Sequence, residues 1–339
     1  MNARIFALLC ILLPSFALAQ GFAGLGTKAD DFALPEKGYQ FEFPKDHGPH
    51  NDFRIEWWYV TANLTAKDGT PYGIQWTLFR NALEPMAAEG WGLEQVYMGH
   101  AALTTPKAHY ATERYARGGT GQAGALASEL TAWIDDWTLT QNTISAAGPD
   151  FAFDLRVDGI GPLVFHGDQG YSVKSAEGQA SHYYSAPFMK VDGTLHLPSG
   201  EVEVSGTAWL DREWSSQPLA SDQTGWDWFS LSFDGGEKLM GFVLRGETDY
   251  TQATWINADG STEPLGNGAF QATPLVWSET SGPEVPTRWA VMLPQKGIDI
   301  VVEALNPDSW LPLSIPYWEG PVSVSGSKSG RGYLEMTGY

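Results

Sequence analysis

An acidic side chain lies among aromatic residues in the segment 208–214, which reads AWLDREW. In an extended strand the side chains alternate between two faces, so Trp209, Asp211 and Glu213 share one face. Apolar, aromatic surroundings raise the pKa of a carboxyl group and keep it protonated near neutral pH. We therefore identify Asp211 as a candidate general acid, with Trp209 and Tyr184 as aromatic faces that would stabilise a cation. The alternative is that Asp211 ends a strand and pairs with a nearby arginine.

Histidines are the next candidates for chemistry. His182 directly precedes Tyr183 and Tyr184, and it is a candidate for positioning water beside an acid; a hydrogen-bonded core histidine is the alternative. His47 and His50 lie in a Gly/Pro loop near carboxylates, a residue set that fits a metal site. Because a loop does not hold ligands in a fixed geometry, we expect structural or solvated histidines there and no bound metal. The nearby carboxylates are Asp46, Asp52 and Glu56.

Tryptophans recur at corresponding places in the two halves of the chain. Trp57 and Trp58 are adjacent, and Trp226 and Trp228 follow the same kind of pattern later. Neighbours on a strand point to opposite faces, so Trp57 and Trp58 cannot both face the interior of one barrel. We treat these four residues as candidates for contact with an apolar ligand. Packing in a hydrophobic core is the alternative.

Charge and cysteine content exclude several classes of function. Forty acidic residues against twenty basic ones give a formal charge of −20, which repels nucleic acid and anionic lipid. We expect no nucleic acid partner and no stable membrane insertion, since no later segment is apolar over about eighteen residues. The only cysteine, Cys10, lies near the N-terminus. The pattern Gly119-x-Gly121-x-x-Gly124 has no strand before it, so we predict no dinucleotide or other cofactor.

The N-terminal segment has the features of a cleavable export signal. Arg4 supplies a positive charge, an apolar run follows from Ile5 to Leu18, and Ala17-Leu18-Ala19 is a small-residue cleavage site. The run is too short to span a bilayer. We therefore expect residues 1–19 to be a signal peptide and the mature protein to be periplasmic or secreted, without a cysteine. Lipoprotein processing at Cys10 is the alternative.

Aromatic and β-branched runs separated by turn residues predict an all-β protein. The runs 55–64 and 73–80 are joined by a Lys-Asp-Gly turn, and the runs 226–233 and 238–245 by Asp-Gly-Gly. Both connections are hairpin signals. In Gly121–Asp135, apolar residues recur at helical spacing, which predicts a short helix or an irregular insertion.

The second half of the chain repeats the pattern of the first. The triplet 56–58 (EWW) corresponds to 227–229 (DWF), and a later pair, YYSAP from residue 183 and YWEGP from residue 317, follows in the same order. This repetition predicts two tandem β domains, residues 30–195 and 196–339. Antiparallel meanders of this size close into barrels or pack as sandwiches.

The segment 43–50 (FPKDHGPH) followed by 53–59 (FRIEWWY) resembles the lipocalin-like family of AttH-type periplasmic proteins and carotenoid 1,2-hydratases (hydroxyneurosporene synthases). Further segments similar to the family are 99–104, which contributes His100 as a ligand-binding candidate, 181–184, 208–214 and 330–335. The resemblance implies two tandem lipocalin-like antiparallel β-barrel domains. It also implies export and association with ABC-type transport systems for the AttH-type members.

Family members with established activity add water across a carbon–carbon double bond of an apolar substrate, which requires a protonated acid. The segment around Asp211 is where the resemblance implies such an acid. Tyr184 and Trp209 depart from the hydratase pattern, which argues against a carotenoid substrate.

Three functions are consistent with these observations. We expect an exported protein that binds an apolar small molecule as an accessory to an ABC-type transport system. The alternative is a cofactor-free hydratase or cyclase, a carotenoid 1,2-hydratase-like lyase, acting on an isoprenoid-like double bond with Asp211 as general acid. The third is a scaffold subunit, which barrel interiors filled by aromatic side chains would favour.

Overall fold

Two antiparallel sheets form nearly all of the fold in the computed structural model, which describes residues 31–85, 92, 94–217 and 219–339. The predicted signal peptide lies outside the described residues. Among those residues, no helix is long and apolar enough to cross a bilayer. In the described part of the chain, short 3-10 helices lie at Lys45–His47, before the first strand, and at Pro294–Lys296, between two strands.

The first sheet has thirteen strands and the second has ten. The first contains β1 (Ile55–Ala66), β2 (Pro71–Ala82), β3 (Gln95–Thr104), β4 (His109–Arg117), β5 (Ala123–Leu126), β6 (Thr131–Ile134), β7 (Trp137–Thr140), β8 (Thr143–Ala147), β9 (Ala152–Asp158), β10 (Val164–Phe165), β11 (Tyr171–Val173), β12 (Ala180–Leu197) and β13 (Gly200–Ser215). The second contains β14 (Gly225–Phe233), β15 (Lys238–Arg245), β16 (Tyr250–Ile256), β17 (Thr262–Leu265), β18 (Gln271–Ser278), β19 (Val285–Leu293), β20 (Ile298–Ala304), β21 (Trp310–Leu311), β22 (Tyr317–Gly326) and β23 (Gly330–Met336).

Both sheets follow one strand order. The first runs β4-β3-β2-β1-β13-β12-β9-β8-β7 and continues through β6 and β5, and the second runs β17-β16-β15-β14-β23-β22-β20-β19-β18. Nine strands therefore correspond one to one, and Trp57 on β1 and Trp228 on β14 lie on corresponding strands. The all-β prediction of two tandem lipocalin-like domains is confirmed.

The similarity between YYSAP from residue 183 and YWEGP from residue 317 identifies corresponding strands, β12 and β22, but it is out of register by two residues. Glu213 on β13 pairs with Trp57 and Tyr183, and Glu335 on β23 pairs with Trp228 and Glu319, so Tyr183 corresponds to Glu319. The similarity of the two short segments predicts that Tyr183 corresponds to Tyr317 instead. A strand-to-strand register depends on pairing across the sheet, which a comparison of short segments does not contain.

The chain passes from the first sheet to the second between Ser215 and Gly225. Strand β12 pairs with β13 along most of its length, and β13 pairs with β1 from Ile55 to Ala66. Both strands therefore belong to the first sheet, although a boundary at residue 195 would separate them. The division into domains at that residue remains a prediction.

The segment Gly121–Asp135 contains no helix but the short strands β5 and β6, and β7 follows directly. Tight turns separate these strands, and Asp135 has a left-handed backbone with φ of 53°. Each turn restarts the alternation of inward and outward side chains. Short strands joined in this way bring apolar residues back every three or four positions, which imitates helical spacing.

Each sheet curls around its own hydrophobic core, and a third apolar cluster lies between the sheets. Trp58, Val60 and Leu210 belong to the first core, and Phe229 and Leu334 to the second. The cluster between the sheets combines side chains from both, including Tyr59, Tyr183, Trp209, Trp228 and Tyr333. Strand alternation produces this arrangement, because one face of β1 points into a barrel and the other meets the second sheet.

Gly73 on β2 lies where the sheets approach closely. A Cβ atom at this position would lie 2.6 Å from Pro321 Cγ and 2.6 Å from the Tyr333 hydroxyl. We expect Gly73→Ala to lower the free energy of unfolding by about 1–3 kcal/mol, a usual cost of overpacking. Gly266→Ala is the control, since a Cβ atom there meets open space. Urea unfolding measures both, and equal stability of the two variants would contradict the close packing.

Candidate functional site

A pocket with a volume of about 130 Å³ lies between the two sheets rather than inside a barrel. The first barrel is filled by large buried side chains such as Trp58, Trp76 and Trp137. The pocket walls come from β1, β2, β12 and β13 on one side and from β14, β15 and β23 on the other. Residues distant in sequence therefore meet there. Aromatic lining residues are Trp57, Tyr59, Phe79, Tyr183, Trp226, Trp228 and Phe242.

Asp211 is the central acid of the wall formed by the first sheet. It pairs in register with Tyr59 on β1 and with Ser185 on β12, and it is 2% exposed. The Ser185 hydroxyl donates to Oδ1, while Oδ2 is buried without a hydrogen-bond partner of good geometry. Burial raises the pKa of Asp211 to about 7, against the opposing effect of the polar groups of Ser185, Trp209 and Tyr183 nearby. Among the described residues Asp211 forms no ion pair with an arginine, and the adjacent Arg212 pairs with Glu56 instead.

His166, between β10 and β11, continues the chain of hydrogen bonds that begins at Asp211. Its Nε2 lies 2.6 Å from Ser185 Oγ, and its Nδ1 lies 2.9 Å from Thr254 Oγ1 on β16. Burial lowers the pKa of His166 well below its usual value, so the ring is neutral and carries one donor and one acceptor nitrogen. Sequence reasoning missed His166, which belongs to no motif and reaches the site only through folding.

His182 and Tyr184 are not brought to Asp211. They lie on the opposite face of β12 from Tyr183 and Ser185, as alternation requires. The His182 ring lies 4.4 Å from the Tyr39 ring, centroid to centroid, and the Tyr184 hydroxyl lies 2.7 Å from His47 Nδ1. The expected group of Asp211 with these two residues is therefore replaced by Asp211 with Tyr183 and Ser185.

The tryptophan candidates divide between pocket and core. Trp57, Trp226 and Trp228 line the pocket, and Trp228 Nε1 donates to the Tyr183 hydroxyl at 3.1 Å. Trp58 points into the first core, where the Arg212 guanidinium lies 3.9 Å from its ring centroid. Trp58 therefore has no access to the pocket.

Trp209 and His100 lie beside the pocket rather than in its lining. Trp209 is buried in the apolar cluster between the sheets, on the same face as Asp211. His100 is buried on β3, with Nδ1 3.0 Å from the Tyr317 hydroxyl.

Two carboxyl groups oppose Asp211 from the second sheet. Glu335 lines the pocket and accepts a hydrogen bond from Trp226 Nε1 at 2.7 Å. Glu319 lies directly across from Glu335 in the β22–β23 pairing and accepts from the Tyr59 hydroxyl at 2.5 Å. Burial raises the pKa of Glu335 to about 7. Burial and then the charge of Glu335 raise the pKa of Glu319 well above its usual value. Because two facing carboxylates repel, the pair retains a proton at neutral pH.

Glu213 differs from these acids because it has a cationic partner. Lys174 Nζ lies 2.7 Å from Glu213 Oε1 and 4.5 Å from the ring centroid of Phe242. Lys174 is the only lysine or arginine among the described residues that line the pocket. Its charge is paired with that of Glu213, so Asp211 and Glu335 face the pocket without a cationic partner.

The His-Gly-Pro-His loop forms a buried ionic network away from the pocket. His50 lies 3.2 Å from Asp46 and 2.6 Å from Glu56. Arg80 and Arg212 contact the two oxygens of Glu56 at 3.0 Å and 2.7 Å. The described residues contain no group of three or more His, Cys, Asp or Glu side chains arranged to hold a metal. The network instead ties the loop to the ends of β1, β2 and β13.

This architecture, two lipocalin-like β domains with a pocket between their sheets, defines the class of the protein. The AttH-like family model matches residues 34–339, and the chain belongs to that family. No curated protein sequence shows a significant match.

Three solved structures are similar over most of the chain. The NE1406 protein of Nitrosomonas europaea, an AttH candidate, has 33% identity and a TM-score of 0.81, with 91% of this chain and 99% of that chain covered. Kievitone hydratase of Nectria haematococca has 16% identity and a TM-score of 0.65, over 91% and 98% of the chains. CghA with Sch210972 has 13% identity and a TM-score of 0.54, over 92% and 97%. The last two similarities concern the fold alone.

Proposed function

We propose that the pocket between the sheets binds an apolar, unsaturated small molecule and that Asp211 protonates it without a cofactor. The observation that carries this proposal is the position of Asp211, which lines an aromatic pocket and whose carboxyl oxygen Oδ2 is buried without a hydrogen-bond partner of good geometry. An acid kept neutral by apolar surroundings is a proton donor near neutral pH. The absence of an ion pair distinguishes Asp211 from Glu213 in the same wall.

Transfer of the Asp211 proton to one carbon of a double bond breaks the acid O–H bond and forms a C–H bond. The neighbouring carbon becomes a carbocation, which the ring faces of Trp57, Trp226 and Trp228 would stabilise. Addition of water gives an alcohol, and the proton that water loses passes to Glu335 on the opposite wall. Attack by a second double bond of the same molecule closes a ring instead, and the carbocation that this leaves loses a proton to Glu335 to give a cyclic alkene. The reaction class is therefore a hydratase or a cyclase.

The volume of the pocket limits what part of the ligand reacts there. An apolar cavity of about 150 Å³ accommodates a benzene-sized molecule, and this pocket is of similar size at about 130 Å³. A single ring or one branched isoprenoid end fits such a space.

Binding without turnover is the second candidate function. The aromatic lining of the pocket favours it, because such surfaces retain apolar molecules whether or not they react. Together with the expected export signal, it supports a periplasmic or secreted carrier that serves an ABC-type transport system.

Deuterium transfer from solvent separates the two functions. The purified protein is incubated in D2O with a panel of isoprenoid alkenes, while tryptophan fluorescence reports binding and mass spectrometry reports the products. A hydratase or cyclase is expected to place deuterium on carbon, in an alcohol or a cyclic isomer respectively. Binding without label supports the carrier. Failure of every alkene both to bind and to acquire label contradicts both functions.

A further inference from the structure

A line of buried titratable groups leads from the pocket to the protein surface. It begins at Tyr59, which lines the pocket and pairs across the strands with Asp211. The Tyr59 hydroxyl donates to Glu319 Oε1 at 2.5 Å. Glu319 is 1% exposed, and its second oxygen has no hydrogen-bond partner of good geometry. This carboxyl therefore has capacity for a further proton donor or acceptor.

Tyr317 and His100 continue the line. Tyr317 precedes Glu319 by two residues on β22, so the two side chains are neighbours on one face of that strand. The Tyr317 hydroxyl acts to lower the pKa of the Glu319 carboxyl. The same hydroxyl lies 3.0 Å from His100 Nδ1, and the two rings stack with centroids 5.6 Å apart. His100 thus connects β22 of the second sheet to β3 of the first.

The line ends at Glu113 on β4. His100 Nε2 is buried without a hydrogen-bond partner and lies 3.9 Å from Glu113 Oε2. The Glu113 side chain is 25% exposed, whereas that of His100 is 1% exposed. A small side-chain movement or a single water closes this distance. Burial lowers the pKa of His100 to about 3, so the ring is neutral, with one nitrogen able to donate and the other to accept.

We propose that Glu319, Tyr317 and His100 form a proton path between the pocket and the solvent at Glu113. A proton arriving at His100 Nε2 allows Nδ1 to pass its own proton to the Tyr317 oxygen. Tyr317 then passes its hydroxyl proton to Glu319. One proton leaves the solvent and one reaches the buried carboxyl, and the reverse sequence releases a proton from the pocket.

Only the role given to this path depends on the proposed function; the contacts that form the path do not. In a hydration, Asp211 loses a proton and the Glu335–Glu319 pair gains one, so the pair must release a proton and Asp211 must regain one before the next turnover. Glu319 is 1% exposed, so its proton reaches the solvent through the protein. Exchange of the Glu319 proton is measurable without substrate, so this inference and the proposed function fail in distinguishable ways.

Infrared spectroscopy of the substrate-free protein tests the path through the C=O stretch of protonated carboxyl groups. Glu319→Gln is expected to remove one such band and so identify it. On transfer from H2O to D2O this band shifts in the wild type, and His100→Gln is expected to slow that shift by at least about tenfold. Glutamine keeps a donor for Tyr317 but does not relay protons. Glu113→Gln, at the surface, is expected to slow the shift as well.

His109→Gln is the matched control. His109 also has a buried Nε2 without a partner and bonds through Nδ1 to Thr104, but it lies off the path. In His109→Gln the Glu319 proton is expected to exchange at the wild-type rate. The unfolding free energy of every variant is measured as well, so that a loss of stability is recognised. If His100→Gln does not fold, Glu113→Gln decides. Wild-type exchange in the folded path variants, equal slowing in His109→Gln, or a Glu319→Gln protein that loses no band would overturn the proposal.

Discussion

Replacing Asp211 by asparagine is expected to leave the protein folded and to reduce deuterium transfer to a bound alkene by at least about a hundredfold, a typical contribution of a general acid. Asparagine preserves the shape of the side chain and still accepts the Ser185 hydroxyl bond, but it has no acidic proton. Ligand binding, followed by tryptophan fluorescence, should change little. Mass spectrometry of the products in D2O measures the loss.

Asp227→Asn is the control for removing a buried acid. Asp227 lies on β14, is 1% exposed and pairs with Arg245 on the side away from the pocket. That variant is expected to lose stability, because Arg245 loses its partner, and to keep its turnover per folded molecule. A wild-type rate of labelling in Asp211→Asn would show that another group donates the proton.

The pH dependence of stability gives an independent measure of the same carboxyl. The folded protein raises the pKa of Asp211 from its ordinary 3.8 to about 7, so between these values the folded state binds more protons than the unfolded state. The stabilising contribution is present below pH 4 and is lost as the pH rises through about 7. Asp211→Asn should remove this loss, and turnover by the wild type should fall above about pH 7.

Replacing Glu56 by glutamine is expected to cost about 3–5 kcal/mol of unfolding free energy, the range for breaking a buried ion pair. Glu56 is fully buried between Arg80 and Arg212, and both guanidinium groups would lose their counter-charge. Urea unfolding measures the change. Glu303→Gln is the control, because the Glu303–Arg288 pair is 3.8 Å apart and largely exposed. It should stay within about 0.5 kcal/mol of wild type.

The stabilising contribution of the Glu56 network changes with pH in the opposite direction to that of Asp211. Burial alone would raise the pKa of Glu56, but His50, Arg212 and Arg80 together hold it well below its usual 4.5. The unfolded state therefore binds more protons, and the contribution is present above pH 4.5 and lost as the pH falls. Glu56→Gln should reduce the loss of stability in acid. A variant as stable as wild type at neutral pH would contradict the role of this network.

Local sequence patterns were sufficient for the strands and for much of the repeat. Period-two alternation and the Asp-Gly turns predicted the β1–β2 and β14–β15 hairpins, and the repeat placed Trp57 and Trp228 on corresponding strands. The same type of reasoning was wrong for Gly121–Asp135, because apolar spacing reflects turns as well as helices. Strand alternation is a property of the backbone itself, so it is visible in the sequence wherever a strand is long enough.

Part of the candidate site could also be predicted from strand alternation in the sequence. Alternation placed Trp209, Asp211 and Glu213 on one face and separated Trp57 from Trp58. It did not show that Ser185, rather than His182 or Tyr184, faces Asp211, because that depends on the register between β12 and β13. A shift of one residue reverses which side chains share a face.

Local sequence specifies which side chains of a strand lie on the same face, and the packing of the two sheets specifies what that face contacts. Packing of the second sheet against the first places the pocket between the barrels. It brings Glu335 to the pocket across from Asp211, Glu319 to the Tyr59 hydroxyl, and Thr254 to the far side of His166. These contacts join residues more than eighty positions apart. Alternation arises within one strand, whereas the partner of each face depends on long-range register and on the packing of one sheet against another.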